Sequence, residues 1–329
     1  MRFAPIVVVL LSLALQWYSH AGGLLYTPDS CSYMAATKTF DGYLHWPPLF
    51  PVVLFVFGSV WYWMQLLITG AIGILVINQT KKMIADPVLQ LLCLISIMLG
   101  VHLLMIGVFL WSELLFVLIL LCFVKALEED RFVLAIILGF LLCLQRHAGL
   151  FFVIGAAVWM WDLRRSLLLL FISSSGFVAW NIYASVIDDN QYLHSIPQNL
   201  SVMSASMMRS LLPIPGIFLL IVVGVMIYFL RSDKKTRLMS ILVLTYFFGM
   251  ICLVLFLVDD IERFMAVVIP FFMILVFRTL EMVAARQTSV ARKMLIVLVI
   301  CWLMYPLSRT VKNAVQWHNL SFTSYFCPV

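Results

Sequence analysis

The chain has 329 residues, of which 64% are hydrophobic and 11% charged, with a formal net charge of +6. An ordinary soluble domain has about 45–50% apolar and about 25% charged residues, so these few charges cannot clothe a water-facing surface around so much apolar side chain. That excludes a soluble globular domain. The positive balance does not indicate a nucleic-acid partner either. Its basic residues stand in short clusters between apolar runs: Lys81-Lys82, Arg164-Arg165, Arg231 to Arg237 and Arg286 to Lys293. Clusters placed in this way set membrane topology.

In chain order, Arg2 precedes an apolar stretch from Ile6 to Leu15 that continues through Trp17-Tyr18 to span length. A retained first span explains this better than a signal peptide, since Ser19-His20-Ala21 is a poor cleavage site. The periodicity predicts an all-α, polytopic membrane protein with spans at 4–21, 61–80, 87–105, 109–127, 132–145, 147–161, 166–184, 212–230, 238–258, 264–281 and 294–307. This makes one transmembrane domain over residues 1–329 of about eleven helices, with no soluble domain. With the N-terminus inside, most of the 21 Lys and Arg residues fall on the cytoplasmic side and the C-terminus lies outside.

The spans 132–145 and 147–161 are short against a usual minimum of about 17 residues, and Gln145-Arg146-His147 separates them. A single crossing there would put Arg164-Arg165 outside and reverse every later loop. The charge bias therefore favours a short re-entrant or hairpin-like pair, with Arg146 near the outer surface.

Two outer loops are long, 22–60 and 185–211. The first ends in Trp46-Pro47-Pro48-Leu49-Phe50-Pro51, where three prolines exclude an ordinary membrane helix. Short interfacial helices are expected in it, with Trp46, Trp61 and Trp63 at headgroup depth. After the last span only a short tail is expected. Five of the seven cysteines lie inside spans as small hydrophobes; Cys31 and Cys327 fall on the outer side, where a disulfide could form although spacing alone does not establish one.

Chemistry-bearing residues collect on the outer side: Asp29, Asp41, Glu113, Asp188, Asp189, Asp259, Asp260 and Glu262, with Arg146 and Arg263 at the mouths of later spans. Acids and arginines at one face could hold a phosphate while an acid handles a proton. Plainer roles stand beside these. Asp29 follows Pro28 and suits a helix start; Arg263 has Asp259, Asp260 and Glu262 as ready partners; Arg146 could snorkel; Glu113 could merely bound its span. His45 and Trp46 could anchor the loop in headgroups. Asp188-Asp189 in an Asp-Asp-Asn turn suits loop chemistry better than a metal, and no metal-type Cys or His spacing occurs.

Four segments together resemble a known family. Asp29-Ser30-Cys31-Ser32-Tyr33, with Gly42 and His45-Trp46-Pro47-Pro48-Leu49-Phe50-Pro51, is similar to the first outer loop of GT-C type glycosyltransferases, in the branch of protein mannosyltransferases and lipid A aminoarabinose transferases. Trp111-Ser112-Glu113-Leu114-Leu115-Phe116 is similar to that family's Ser/Thr-Glu-x-x-Phe segment. Leu144-Gln145-Arg146-His147-Ala148-Gly149-Leu150 looks like its Leu-Thr-Arg-x-x-Gly-Leu turn, and Arg263-Phe264-Met265 through Pro270 like its Arg-Tyr-x-x-Pro-x-x-Pro segment without the first proline.

The resemblance implies an inverting transfer of a sugar from a polyprenyl-phosphate donor to a glycan, lipid or protein acceptor. Asp29 would be the general base. Arg263 and Arg146 would hold the donor phosphate, with Tyr33, Lys38, His45, Trp46 and Glu113 as further substrate-site candidates. It requires no bound cofactor beyond the lipid-linked donor, and nothing in the sequence supports a divalent metal. A bacterial inner membrane, the reading preferred, would put the site in the periplasm, and an endoplasmic reticulum membrane would put it in the lumen. Two departures stand out: Ser30 follows Asp29 where many members carry a second acid, and the large outer soluble domain of some members is missing. A transporter or lipid flippase, or a non-catalytic membrane scaffold, is the rival reading. The first of these would place charges deep in spans and show matching halves.

Overall fold

The structure is a computed structural model that describes residues 3–37, 47–187, 224, 227–230, 232–253 and 261–322. The predicted span 212–230 lies mostly outside the described residues, as do positions 188–211 of the second long loop. Among the described residues there is no β-strand, and thirteen helices run in order: α1 Ala4–Ser19, α2 Pro28–Ala36, α3 Leu49–Phe57, α4 Trp61–Met83, α5 Pro87–Met98, α6 Val101–Val108, α7 Glu113–Glu128, α8 Phe132–Gln145, α9 Gly149–Trp159, α10 Leu163–Ile187, α11 Lys234–Leu253, α12 Ile261–Ala284 and α13 Ser289–Ser321. The protein is all-α and membrane-embedded. Five helical stretches are long and apolar enough to cross a bilayer: Leu49–Met83, Pro87–Val108, Leu163–Tyr183, Met265–Ala284 and Ser289–Ser321. Outward-facing side chains such as Phe55, Leu67, Phe171 and Trp302 are exposed and apolar, as lipid contact requires.

Two compact units divide the chain. Unit 1 comprises 1–38, 51–121 and 262–329; unit 2 comprises 39–50 and 122–261. In unit 1, α1 begins with Pro5 in its first turn, where a missing N–H costs nothing, and buries Val8, Val9, Ser12, Gln16 and Ser19. Its polar residues join helices together. Ser12 Oγ donates to the Met98 carbonyl at 2.7 Å, and Gln16 Nε2 to the Gly107 carbonyl at 2.6 Å. Such bonds between helices contribute about 0.6–2 kcal/mol each where no water competes.

The span read as 87–105 corresponds to the stretch Pro87–Val108, interrupted at Leu99-Gly100 between α5 and α6. Two other expectations in unit 1 are corrected. The span read from 109 starts only at Glu113, because the preceding residues are extended: Leu25 and Phe109 form a parallel β-bridge, and Leu110 N–H donates to the Leu25 carbonyl at 3.0 Å. The tail expected after 307 is instead a continuation of α13 to Ser321. Its polar residues concealed an amphipathic stripe, with Thr310, Ala314, Trp317 and Ser321 all buried at helical spacing. At its end the His318 ring stacks on Tyr18 at 4.2 Å, and Gly22 N–H donates to Ser321 Oγ at 3.0 Å. Trp61, expected at the headgroups, is buried, whereas Trp63 is exposed.

The loop between α4 and α5 is tied down by charge. Asp86 caps α5, its Oδ1 accepting from Val88 N–H at 2.8 Å and Leu89 N–H at 3.2 Å, with Pro87 at the first helical position. Glu281 of α12 accepts from the Ala85 and Asp86 N–H groups at 2.7 Å each and from Arg278 at 2.6 Å, while Arg292 of α13 pairs with Asp86.

In unit 2, α8 packs along α10 and α9 along α11. Ser173 Oγ donates to the Ile136 carbonyl at 3.1 Å, and Phe152 stacks on Tyr246 at 5.0 Å. The short helices α8 and α9 pack on each other across Arg146-His147-Ala148. This turn needs Gly149: a Cβ there would stand 2.3 Å from the Leu142 carbonyl oxygen, so any side chain would force the two helices apart.

Candidate functional site

The site in unit 1 starts from the cap of α2. Thr27 is the extended N-cap, Pro28 opens the helix, and Thr27 and Ser30 form a reciprocal capping box. Ser30 Oγ accepts from Thr27 N–H at 3.0 Å and donates to the Leu110 carbonyl at 2.9 Å. Trp111 Nε1 in turn donates to Thr27 Oγ1 at 2.7 Å. The segment before α2 and the segment before α7 are thus stitched together, with Asp29 in the first turn of one helix and Glu113 in the first turn of the other. Acids at those positions also suit the helix dipoles.

Arg263, in the first turn of α12, reaches both acids. Its Nε donates to Glu113 Oε1 and its Nη1 to Asp29 Oδ2. The guanidinium carbon stands 4.3 Å from the centre of the Trp111 ring, a cation–π contact that also screens the group from solvent. The three side chains differ in exposure: Glu113 is fully buried, Arg263 is 6% exposed and Asp29 is 31% exposed. Arg263 Nη2 is buried with no hydrogen-bond partner among the described residues. Tyr33, in the second turn of α2 and buried, shares a hydrogen bond of 3.2 Å with Ser112 Oγ, the residue beside Glu113.

The candidates chosen from sequence divide into three groups. Asp29, Tyr33, Glu113 and Arg263 come together in unit 1. Arg146 belongs to unit 2, where it is buried at the extended C-cap of α8. Lys38, His45 and Trp46 lie outside the described residues, as do Asp188 and Asp189. The acids nearest Arg263 in sequence are not described either (Asp259 and Asp260, and the side chain of Glu262), so its described partners are the distant ones.

Two contributors were not chosen from sequence. Trp111 forms the aromatic wall behind Arg263, and Thr27 ties Trp111 to the cap of α2. The signal was an aromatic residue directly before Ser112-Glu113 and a Thr directly before Pro28. Ser30 also acquires a role: it is fully buried in the capping box, so the position where the resembled family often carries a second acid is here a structural hydroxyl. Cys31, on the same helix, is disulfide-bonded; Cys327, the other cysteine read as lying on the outer side, lies outside the described residues. Among the described residues, no group of three or more His, Cys, Asp or Glu side chains gathers as a metal site would require.

Chemically, the cluster offers a partly exposed carboxylate, a guanidinium with an unused donor, and a buried acid that fixes the guanidinium. A group of this kind can bind an oxyanion and accept a proton beside it. No family model matches the chain, and no curated protein matches it.

Proposed function

We propose that the protein is a GT-C type membrane glycosyltransferase that moves a sugar from a polyprenyl phosphate to a glycan, lipid or protein acceptor. The observation that carries this reading is the convergence of Asp29, Glu113 and Arg263 in one ion-pair cluster, from segments 234 and 150 residues apart. Each of these residues sits in a segment resembling that family.

In this reading the donor phosphate docks on Arg263 and takes the place of Asp29 on Nη1, using also the vacant Nη2 donor. Asp29, released and partly exposed, then accepts the proton of the acceptor hydroxyl. The acceptor oxygen bonds to the anomeric carbon from the opposite side as the bond from that carbon to the phosphate oxygen breaks, inverting the centre. The electron pair leaves with polyprenyl phosphate, whose new negative charge stays on Arg263, and the proton remains on Asp29 until exchanged with water. Glu113 keeps Arg263 in place throughout. The protein has about eleven spans in a bacterial inner membrane, with the N-terminus cytoplasmic and the site facing outward. The disulfide at Cys31 supports an oxidising compartment for α2.

The test uses protein purified in lipid, radiolabelled polyprenyl-phosphate sugars and an envelope extract. Transfer by wild type and its loss by about 10²–10⁴-fold in Asp29→Asn supports the reading, since a positioned general base contributes that much. Transfer unchanged by Asp29→Asn removes the base assignment, and binding of the labelled lipid with no transfer by either protein points to a carrier or scaffold.

A further inference from the structure

A second charged constellation lies at one end of unit 2, where α7 and α9 finish and α8, α10 and α11 begin. A cavity of about 200 Å³ opens there, with Asp130, Trp159, Trp161, Arg165, Lys234 and Arg237 among its walls. Its cations are not equivalent. Arg165 is balanced by two acids, donating to Asp130 Oδ1 at 2.9 Å and lying 3.7 Å from Asp162 Oδ2. Lys234 and Arg237 form no ion pair with any described residue. They lie over indole rings instead, Lys234 Nζ at 5.0 Å from the centre of Trp159 and Arg237 Cζ at 5.5 Å from that of Trp161. The neighbouring acid, Asp233, is engaged in capping α11, accepting from the N–H groups of Lys235 and Thr236 at 3.1 Å each and from Thr236 Oγ1 at 2.6 Å. Arg237 Nε is buried without a hydrogen-bond partner.

The walls carry three cations, Arg165, Lys234 and Arg237, against two acids, Asp130 and Asp162, a balance that favours an anion, and a buried guanidinium N–H without an acceptor needs one. Trp159, which is buried, excludes water on its side and strengthens that attraction, whereas Trp161 is exposed. Size limits the anion. Pockets for whole drug-sized or nucleotide ligands start at about 300 Å³, so this one admits a phosphate group and the first atoms of its ester, and excludes a nucleotide.

We propose that this cavity binds a phosphate group through Lys234 and Arg237. A phospholipid headgroup is one source and free phosphate the other. The site belongs to unit 2 alone and stands independently of any transferase activity.

The full chain in detergent would be titrated with dihexanoyl phosphatidic acid, dihexanoyl phosphatidylcholine and inorganic phosphate, with bound ligand read by native mass spectrometry. We expect phosphatidic acid to bind more tightly than phosphatidylcholine, and Lys234→Gln/Arg237→Gln to weaken it by about 30-fold. Arg286→Gln/Lys293→Gln, in a basic cluster away from this cavity's lining, should change it less than about twofold. Competition by inorganic phosphate identifies the phosphate group alone as the ligand; binding without that competition identifies the lipid headgroup. If the double variant fails to fold, Lys234→Gln alone carries the test, with about a fivefold loss expected. Equal binding of phosphatidic acid and phosphatidylcholine, or equal losses in the two basic clusters, overturns the proposal.

Discussion

Arg263 and Glu113 form an ion pair almost closed to solvent, the guanidinium 6% exposed and the carboxylate not at all, whereas Asp29 on the other side of the same guanidinium is 31% exposed. The two acids therefore do different work. Glu113 compensates a charge that water cannot reach. Asp29 sits where solvent reaches it.

Removal of Glu113 leaves a buried guanidinium without its main counter-ion. Breaking such a pair from one side costs about 3–5 kcal/mol. Thermal unfolding in detergent should therefore show a large loss for Glu113→Ala, while Asp29→Asn loses no more than about 1 kcal/mol. Equal destabilisation by the two variants would mean that the exposure difference has no energetic content.

Acid sensitivity should appear at Asp86. Burial by itself would raise its carboxyl, but the Arg292 hydrogen bond and the Leu89 and Val88 N–H groups outweigh it and hold the group below its ordinary value of 3.8. A depressed folded-state value means stability that is present above the unfolded value and lost as pH falls through the folded one. Wild type should thus be more stable than Asp86→Asn near neutral pH, and the difference should shrink as pH falls below about 4. A difference independent of pH would assign the effect to packing instead.

The disulfide at Cys31 is predicted to be measurable by alkylation. Denatured but unreduced protein should be modified at Cys93, Cys122, Cys143 and Cys301, which are free, and at Cys31 only after reduction. Reduction should lower stability by about 2–4 kcal/mol, the usual contribution of a disulfide. Because Cys31 and Asp29 share α2, any activity that uses Asp29 should fall with it. Alkylation of Cys31 without reduction would exclude the bond.

At the turn between α8 and α9, Gly149→Ala should be costlier than a surface substitution. The added methyl would meet the Leu142 carbonyl, a backbone atom that cannot rotate away. We expect a loss of about 1–3 kcal/mol. Gly58, with open space around its Cβ position, is the control, and Gly58→Ala should be close to neutral.

The sequence by itself determined the membrane environment, the helical class and most helix positions. Those follow from apolar runs between charges and need no partner: hydrocarbon surroundings oblige a chain to satisfy its backbone internally. It also marked Asp29, Glu113, Arg263 and Tyr33 individually. Only the tertiary structure decided that these four stand together, that Trp111 backs the arginine, and that Ser30 is a capping hydroxyl. It likewise decided that α13 runs to Ser321, since Ser308, Arg309, Lys312 and Asn313 end the apolar run while the face opposite them packs into unit 1. The reason is common to all of these. Hydropathy records what each residue prefers as solvent, whereas a site and an amphipathic packing face depend on which distant segment supplies the other side.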